Sequence, residues 1–249
     1  MHIFARFKDV FDLRKNWKSF LVDLLFLFVL SSALGLLSIS KLIGNNLLAL
    51  GDSIIQAPPT NLSSLIFHSV NFQRILILGG VAALVAYPLY CFFHGFLWKF
   101  ATLLRGKAFS VKKFFLVNLL WFPLFCLYLV VNFVFSYFDT VAQRLNPSTF
   151  PLLASISNIL FFFIAYFAFL SYAFLSTEKA GASIRKAFST GFGRKGVPLA
   201  LALVVMTFAM LLISKLSTIS LLAFFMLAYL SYPALMLWVR LVALDAVET

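Results

Sequence analysis

Six long apolar stretches alternate with short polar segments along this chain of 249 residues. Each stretch is close to the 20 or so residues that cross about 30 Å of hydrocarbon at about 1.5 Å per residue. The sequence therefore predicts an all-α integral membrane protein with six transmembrane helices in a single domain, 1–249. The predicted spans are 20–39, 75–98, 114–135, 156–176, 197–213 and 221–244.

The lysines and arginines are concentrated in alternate connections. Sixteen of the 20 lie before the first span, between spans two and three, between spans four and five, or at the end of the last span. Such segments stay in the cytoplasm by the positive-inside rule, so both termini are predicted to be cytoplasmic. Asn61, Leu62 and Ser63 form a glycosylation sequon, but such short motifs arise by chance and nothing else in the sequence indicates a secretory-pathway host. A multi-pass protein of a cell membrane, the prokaryotic inner or cytoplasmic membrane, is therefore expected.

The composition argues against a soluble alternative and indicates a lipid partner. Hydrophobic residues make up 63% of the chain and charged residues 11%, whereas soluble domains carry roughly 25% charge. The net charge of +12 comes from basic residues directly beside the spans, where anionic lipid headgroups are the expected partner. No nucleic-acid partner is expected, because no basic domain lies outside the predicted spans.

The cytoplasmic connections contain amphipathic patterns. Apolar residues recur at helical spacing between Ile3 and Leu13, which predicts an interfacial N-terminal helix within 1–19. The segments AFSVKKFF (108–115) and GASIRKAF (181–188) align residue by residue, and we predict one element used twice. Six basic residues of these connections are the candidate contacts for lipid or a partner: Lys112, Lys113, Arg185, Lys186, Arg194 and Lys195.

Short motifs in the even-numbered spans suggest an internal repeat. Span four contains LSYA around Tyr172, span six contains LSYP around Tyr232, and span two has Pro88 directly after Tyr87. These similarities predict three helical hairpins, each preceded by a cytoplasmic amphipathic segment.

Asp23 is the one acidic residue within the predicted spans. The apolar residues of 20–39 favour insertion by roughly 4 to 8 kcal/mol, against about 3 kcal/mol for an aspartate, so the span is retained. Asp23 is our candidate for an intramembrane ion pair, with Lys18 or Arg240 as its partner. The alternative is that its carboxylate reaches the headgroups.

No catalytic, metal or cofactor site is predicted, and we expect a protein without enzymatic activity. The three histidines, His2, His68 and His94, form no HExxH motif, and His94 is predicted to be an interfacial side chain. The polar residues of the spans are predicted to form hydrogen bonds between helices; they are Ser31, Ser32, Asn118, Asn132 and Asn158.

Three segments carry a family resemblance: FARFKDVFDLRKNWKSFLVDLL at 4–25, EKAGASIRKAFSTGFGRKGVPLALALVV at 178–205 and SYPALMLWVRLVALDAV at 231–247. Together they resemble the six-span membrane-domain family of glycerophosphoryl diester phosphodiesterases, which includes stand-alone prokaryotic relatives of unknown function. The resemblance implies a six-span fold. Because no phosphodiesterase domain follows Thr249, the catalytic activity of that family is not carried over to this chain.

Two functions remain open at this point. The first is a lipid-interacting scaffold, sensor or assembly factor that has a protein partner or forms a homo-oligomer. The alternative is a permease subunit driven by a separate ATPase, because the segment from Glu178 to Pro198 is loosely similar to the EAA loop of ABC importer permeases. Its spacing departs from that loop. Ion-coupled carriers usually place acidic residues near the membrane midplane, and the predicted spans have none there. Such carriers are therefore disfavoured.

Overall fold

The fold is helical. A computed structural model of the chain describes residues 10, 13–36, 41–43, 45–46, 49–50, 68–146, 148, 150, 152–215 and 221–248. About 90% of these residues are helical and none of them lies in a strand, so the all-α prediction is confirmed. The helices are α1 (Leu13–Leu36), α2 (Val70–Leu103), α3 (Val111–Leu145), α4 (Leu152–Phe174), α5 (Ala180–Gly191), α6 (Val197–Lys215) and α7 (Leu221–Glu248).

Five helical stretches of the described residues are long and apolar enough to cross a membrane. They are Val70–Leu103, Val111–Ser136, Ser155–Phe174, Arg194–Ile213 and Leu227–Glu248. The prediction of a multi-span membrane protein is therefore confirmed by length and composition. The first predicted span, 20–39, is not among these five.

The N-terminal boundary differs from the prediction. α1 begins at Leu13 and continues to Leu36, so the predicted division between an interfacial helix (1–19) and a span that starts at Phe20 falls inside one helix. The remainder of the predicted interfacial helix, except Val10, lies outside the described residues.

The chain divides into two compact units. One consists of residues 25–90, where Phe26 and Tyr90 meet edge to face with ring centroids 6.4 Å apart. The other consists of residues 1–24 and 91–249 and contains α3 to α7 with the adjoining ends of α1 and α2.

Aromatic side chains fill the core of the larger unit. The ring of Trp98 lies 5.7 Å from those of Phe169 and Tyr172, and the ring of Phe114 lies 4.6 Å from Tyr172. Around this centre α4 packs against α3, α5 and α7, and α7 also packs against α6. Aromatic burial supplies much of the packing energy of such a core.

The segments AFSVKKFF and GASIRKAF are not equivalent, which corrects the prediction of one element used twice. After α2 the chain turns at Gly106, whose φ of 66° favours glycine, and residues 107–110 are not helical. Lys112 and Lys113 then form the first turn of α3, whereas Arg185 and Lys186 lie in the middle of the separate helix α5. The difference has a local cause, since glycines and a proline end the second segment while the first continues directly into apolar sequence.

Candidate functional site

A buried ion pair joins α1 to α7. Both terminal guanidinium nitrogens of Arg240 face the carboxylate of Asp23, with Nη1 2.9 Å from Oδ2 and Nη2 3.2 Å from Oδ1. Both side chains are 0% exposed. Asp23 therefore does not reach the headgroups, and its partner is Arg240 rather than Lys18, which is exposed near the ring of Trp17. The two-point geometry gives the strongest form of carboxylate recognition.

His94 of α2 is the third member of this cluster. Its Nδ1 lies 3.1 Å from Nη2 of Arg240. An arginine has only donors, so Nδ1 must accept, which assigns a neutral imidazole with its proton on Nε2. His94 is buried, and the prediction of an interfacial side chain is wrong.

The buried face of α1 is polar. Asn16, Ser19 and Asp23 follow one another at helical spacing, and all three are buried. Asn16 donates from Nδ2 to the carbonyl of Val10 at 3.1 Å. Among the buried side-chain atoms of the described residues, Ser19 Oγ and Arg240 Nε have no hydrogen-bond partner. The hydrogen bonds of Arg240 are therefore made by its two terminal nitrogens, to Asp23 and His94.

This cluster holds helices together and offers no reactive group to solvent. Its members are all less than one-tenth exposed, and the charges of Asp23 and Arg240 cancel. Within the described ranges no three histidines, cysteines, aspartates or glutamates come together as a metal site would require. Within the larger unit, the arrangement therefore joins the adjoining ends of α1 and α2 to α7.

A second polar layer links α3 to α4. The hydroxyl of Tyr172 donates to Oδ1 of Asn118 at 2.6 Å, and the amide of Asn118 donates to the carbonyl of Phe114 at 2.9 Å. One turn further along α3, the indole of Trp121 donates to the hydroxyl of Ser171 at 2.8 Å. The prediction that Asn118 forms a hydrogen bond between helices is confirmed. Asn132 does the same with Ser157, which lies on α4.

α5 is attached to α3 and α4 by its small and apolar residues. Ser183 and Ala187 are buried, and the ring of Phe188 stacks on Phe167 at 4.5 Å. At the start of α5, Lys113 Nζ donates to the carbonyl of Glu178 at 2.9 Å, and Lys186 forms an ion pair with the carboxylate of Glu178. The opposite side of α5 carries the exposed Arg185.

A glycine-rich turn connects α5 to α6 and is fixed by Tyr166 of α4. The hydroxyl of Tyr166 donates to the carbonyl of Gly191 at 2.8 Å. A Cβ at Gly196 would lie 1.9 Å from the Tyr166 hydroxyl, and one at Gly191 would lie 2.5 Å from Cε1 of Phe167. Only glycine fits at both positions. Between them Phe192 is 80% exposed.

The six predicted basic contacts lie in two places. Lys113 and Lys186 meet at Glu178, with the exposed Lys112 and Arg185 on the same two helices. Arg194 and Lys195 are exposed in a 3-10 turn, Arg194–Gly196, that directly precedes α6. Five of these six side chains are exposed and Lys113 is partly buried; their role as contacts for lipid or a partner stays a prediction.

Two functional arrangements were missed at the level of sequence. His94 and Arg240 are 146 positions apart, and no local pattern connects them. The Tyr166 contact with the glycine turn had a weak signal, because three glycines within six residues indicate a backbone that other groups approach closely.

No family model, curated protein or solved structure matches the chain. The resemblance to the membrane domain of glycerophosphoryl diester phosphodiesterases therefore stays a prediction.

Proposed function

We propose that the chain is a non-enzymatic, six-span protein of a prokaryotic cell membrane that engages anionic lipid as a scaffold, sensor or assembly factor. In this proposal α1 is the sixth span and both termini are cytoplasmic. The side that carries α5 and the 3-10 turn then faces the cytoplasmic leaflet.

The observation that carries the proposal is the fixed basic surface formed by α5 and the turn. Arg185, Arg194 and Lys195 are exposed, while the backbone that presents them is held on α4 by Tyr166 and Phe167. Surface-directed basic residues beside a span attract anionic headgroups by about 1 kcal/mol each. Because the turn is held in place by these contacts, little conformational entropy is lost when lipid binds.

The test is to measure which lipids stay with the protein. The protein is reconstituted in equal parts of phosphatidylcholine and phosphatidylglycerol, extracted gently, and its retained lipids are quantified by mass spectrometry. We expect phosphatidylglycerol to be enriched. The triple variant Arg185→Gln, Arg194→Gln and Lys195→Gln should lose that enrichment severalfold, since each basic residue contributes on the order of 1 kcal/mol.

A matched control removes charge on the other predicted side of the membrane. The exposed Lys41 and Lys215 are changed to Gln, which should leave the enrichment unchanged. Equal retention of both lipids by the unmodified protein, or an unchanged triple variant, would contradict the proposal.

The alternative permease function makes a different prediction. An ATP-driven permease contacts its nucleotide-binding subunit through a short cytoplasmic helix between spans, the position that α5 occupies here. Copurification with such a subunit, together with stimulated ATP hydrolysis in liposomes, would favour the permease. Isolation as a lone protein with bound anionic lipid would favour the scaffold.

A further inference from the structure

The length of α6 fixes the level of the membrane on its side of the larger unit. α6 contains 19 residues, which is about 28 Å at 1.5 Å per residue and close to the hydrocarbon thickness of about 30 Å. Lys195 lies two residues before its start and Lys215 ends it. Since both ammonium groups need water or headgroups, one membrane surface lies near the 3-10 turn.

α5 does not run parallel to that surface. Glu178, two residues before α5, donates its N–H to the carbonyl of Phe174 at 2.8 Å, so α5 starts at the end of α4. Its last residue, Gly191, packs against Tyr166 and Phe167. Tyr166 lies eight residues before the end of α4, so α5 descends by about 12 Å along α4.

The descent separates the two basic groups by height. The start of α5, next to Glu178, stands about 12 Å above the turn when measured along α4. The ammonium group of Lys186, from the middle of α5, is held at that level by its ion pair with Glu178. The turn itself lies at the membrane level set by α6. Phe192 is exposed there, with its ring 5.4 Å from Phe167 and with Arg194 and Lys195 beside it. An exposed aromatic ring next to two cations matches the boundary between acyl chains and headgroups.

We propose that the turn from Phe192 to Lys195 is the lipid anchor of this chain. The Phe192 ring enters the boundary of the acyl region, and Arg194 and Lys195 bind lipid phosphates. The first half of α5 rises out of the bilayer into water. This inference rests on the proposed function and restricts the lipid contact to Arg194, Lys195 and the neighbouring Phe192.

Tyr166 makes the anchor part of the protein core. Its hydroxyl binds the carbonyl of Gly191 and lies against the backbone of Gly196, on both sides of Phe192. Tyr166 thus connects the turn directly to α4, whose next turns carry Ser171 and Tyr172 in their hydrogen bonds to α3. Such a connection is what a sensor of lipid packing requires.

Depth measurement by spin labelling tests the anchor. In a background with Cys91→Ala and Cys126→Ala, single cysteines are introduced as Phe192→Cys or Ala182→Cys and labelled with a nitroxide. The full chain is placed in nanodiscs of phosphatidylcholine alone and of equal parts phosphatidylcholine and phosphatidylglycerol. Oxygen should relax the label at 192 more strongly than a water-soluble nickel chelate, and the order should reverse at 182. The expected difference in depth is about 8 to 12 Å.

A second pair of variants keeps the test valid if Phe192→Cys or Ala182→Cys prevents folding. Lys195→Cys reports on the turn and Gly181→Cys on the start of α5. Both positions are exposed, and no atom lies within 4 Å of a Cβ placed at Gly181. Equal depths along α5 would mean a helix that lies flat in the interface and would overturn the inference. Nickel-accessible labels at both 192 and 195 would overturn it as well.

The two lipid mixtures separate this inference from the proposed function. Insertion of Phe192 should occur in phosphatidylcholine alone, because it depends on an apolar ring. If the label at 192 is buried in both mixtures while phosphatidylglycerol is not enriched, the anchor stands and the anionic preference fails. If phosphatidylglycerol is enriched but the label at 192 stays in water, the anchor fails alone.

Discussion

Both ends of α4 are rich in apolar residues but have different surroundings. Near its C-terminal end Leu170, Tyr172 and Ala173 are buried, whereas near its beginning Ile159 is 59% exposed and Phe163 is also exposed. The same contrast runs along α7, where the residues around Arg240 are buried and Leu227 is exposed. Hydrophobicity alone does not decide which end packs against protein.

The buried ends of α4 and α7 differ from the exposed ends in their polar contacts. The buried ends carry the Asp23–Arg240–His94 cluster and the Tyr172–Asn118 hydrogen bond. Directional polar contacts of this kind specify which helices meet, which apolar side chains alone do not. The exposed end of α4 also has a polar contact, the hydrogen bond from Ser157 to Asn132 of α3, but its side chains at Ile159 and Phe163 are exposed. Substitutions that weaken the polar contacts should therefore loosen the packed end first.

The largest effect is expected from breaking the buried ion pair. Asp23→Asn leaves the buried guanidinium of Arg240 without its counter-charge, which should lower the free energy of unfolding by about 3 to 5 kcal/mol. Unfolding in detergent, followed by circular dichroism during titration with sodium dodecyl sulfate, measures it.

Two further variants sharpen that experiment. The double variant Asp23→Leu and Arg240→Met removes both charges and should recover most of the loss, because no buried charge remains. Lys18→Gln, at the exposed residue predicted as an alternative partner, should change stability by less than about 0.5 kcal/mol. An Asp23→Asn protein as stable as the unmodified protein would show that the cluster does not hold the packed end.

The next effect concerns the glycine turn. Gly196→Ala places a methyl group against the hydroxyl of Tyr166 and the carbonyl of Gly191, and the resulting displacement should cost about 1 to 3 kcal/mol. Thermal unfolding in detergent detects the change. Gly181→Ala is the control, because nothing lies within 4 Å of a Cβ placed at that position. Alanine there should stabilise the helix by about 0.5 to 1 kcal/mol relative to glycine. Equal effects at the two glycines would contradict the contact.

A smaller effect is expected from the link between α3 and α4. Tyr172→Phe removes the donor to Oδ1 of Asn118, which is buried, and should cost about 1 to 2 kcal/mol. A double-mutant cycle with Asn118→Val isolates the interaction, for which the coupling should be about 0.5 to 1.5 kcal/mol. Additive losses would mean that the two side chains stabilise the protein independently.

Sequence reasoning reached the features that depend on local pattern. The apolar runs predicted the positions of the helices, and the excess of basic residues predicted which connections carry the charged surface. Asp23 was a candidate for an ion pair because a lone carboxylate in an apolar helix needs compensation. Arg240 was one of two suggested partners, since hydropathy gives no information on which helices are neighbours.

The remaining features depend on contacts between distant parts of the chain. His94 meets Arg240 only because the fold brings these two positions of α2 and α7 together, and no periodicity in the sequence encodes that contact. The sequence similarity of AFSVKKFF and GASIRKAF suggested one element used twice. The residues that follow each segment, however, decide whether a helix ends or continues. The inclination of α5 follows from the Gly191 and Tyr166 contact, which is likewise invisible to pattern.

The smallest effect should come from the ion pair nearest the end of α7. Lys107 Nζ lies 3.0 Å from Glu248 Oε1, with side chains 31% and 30% exposed, so solvent screens the attraction and the pair should contribute at most about 1 kcal/mol. Lys107→Gln should therefore barely change the unfolding midpoint, and added salt should abolish any difference. Asp23→Asn should keep its full effect in the same salt, since its partner is shielded from ions. If Lys107→Gln instead destabilised the protein as strongly as Asp23→Asn, burial would not be what distinguishes the two ion pairs.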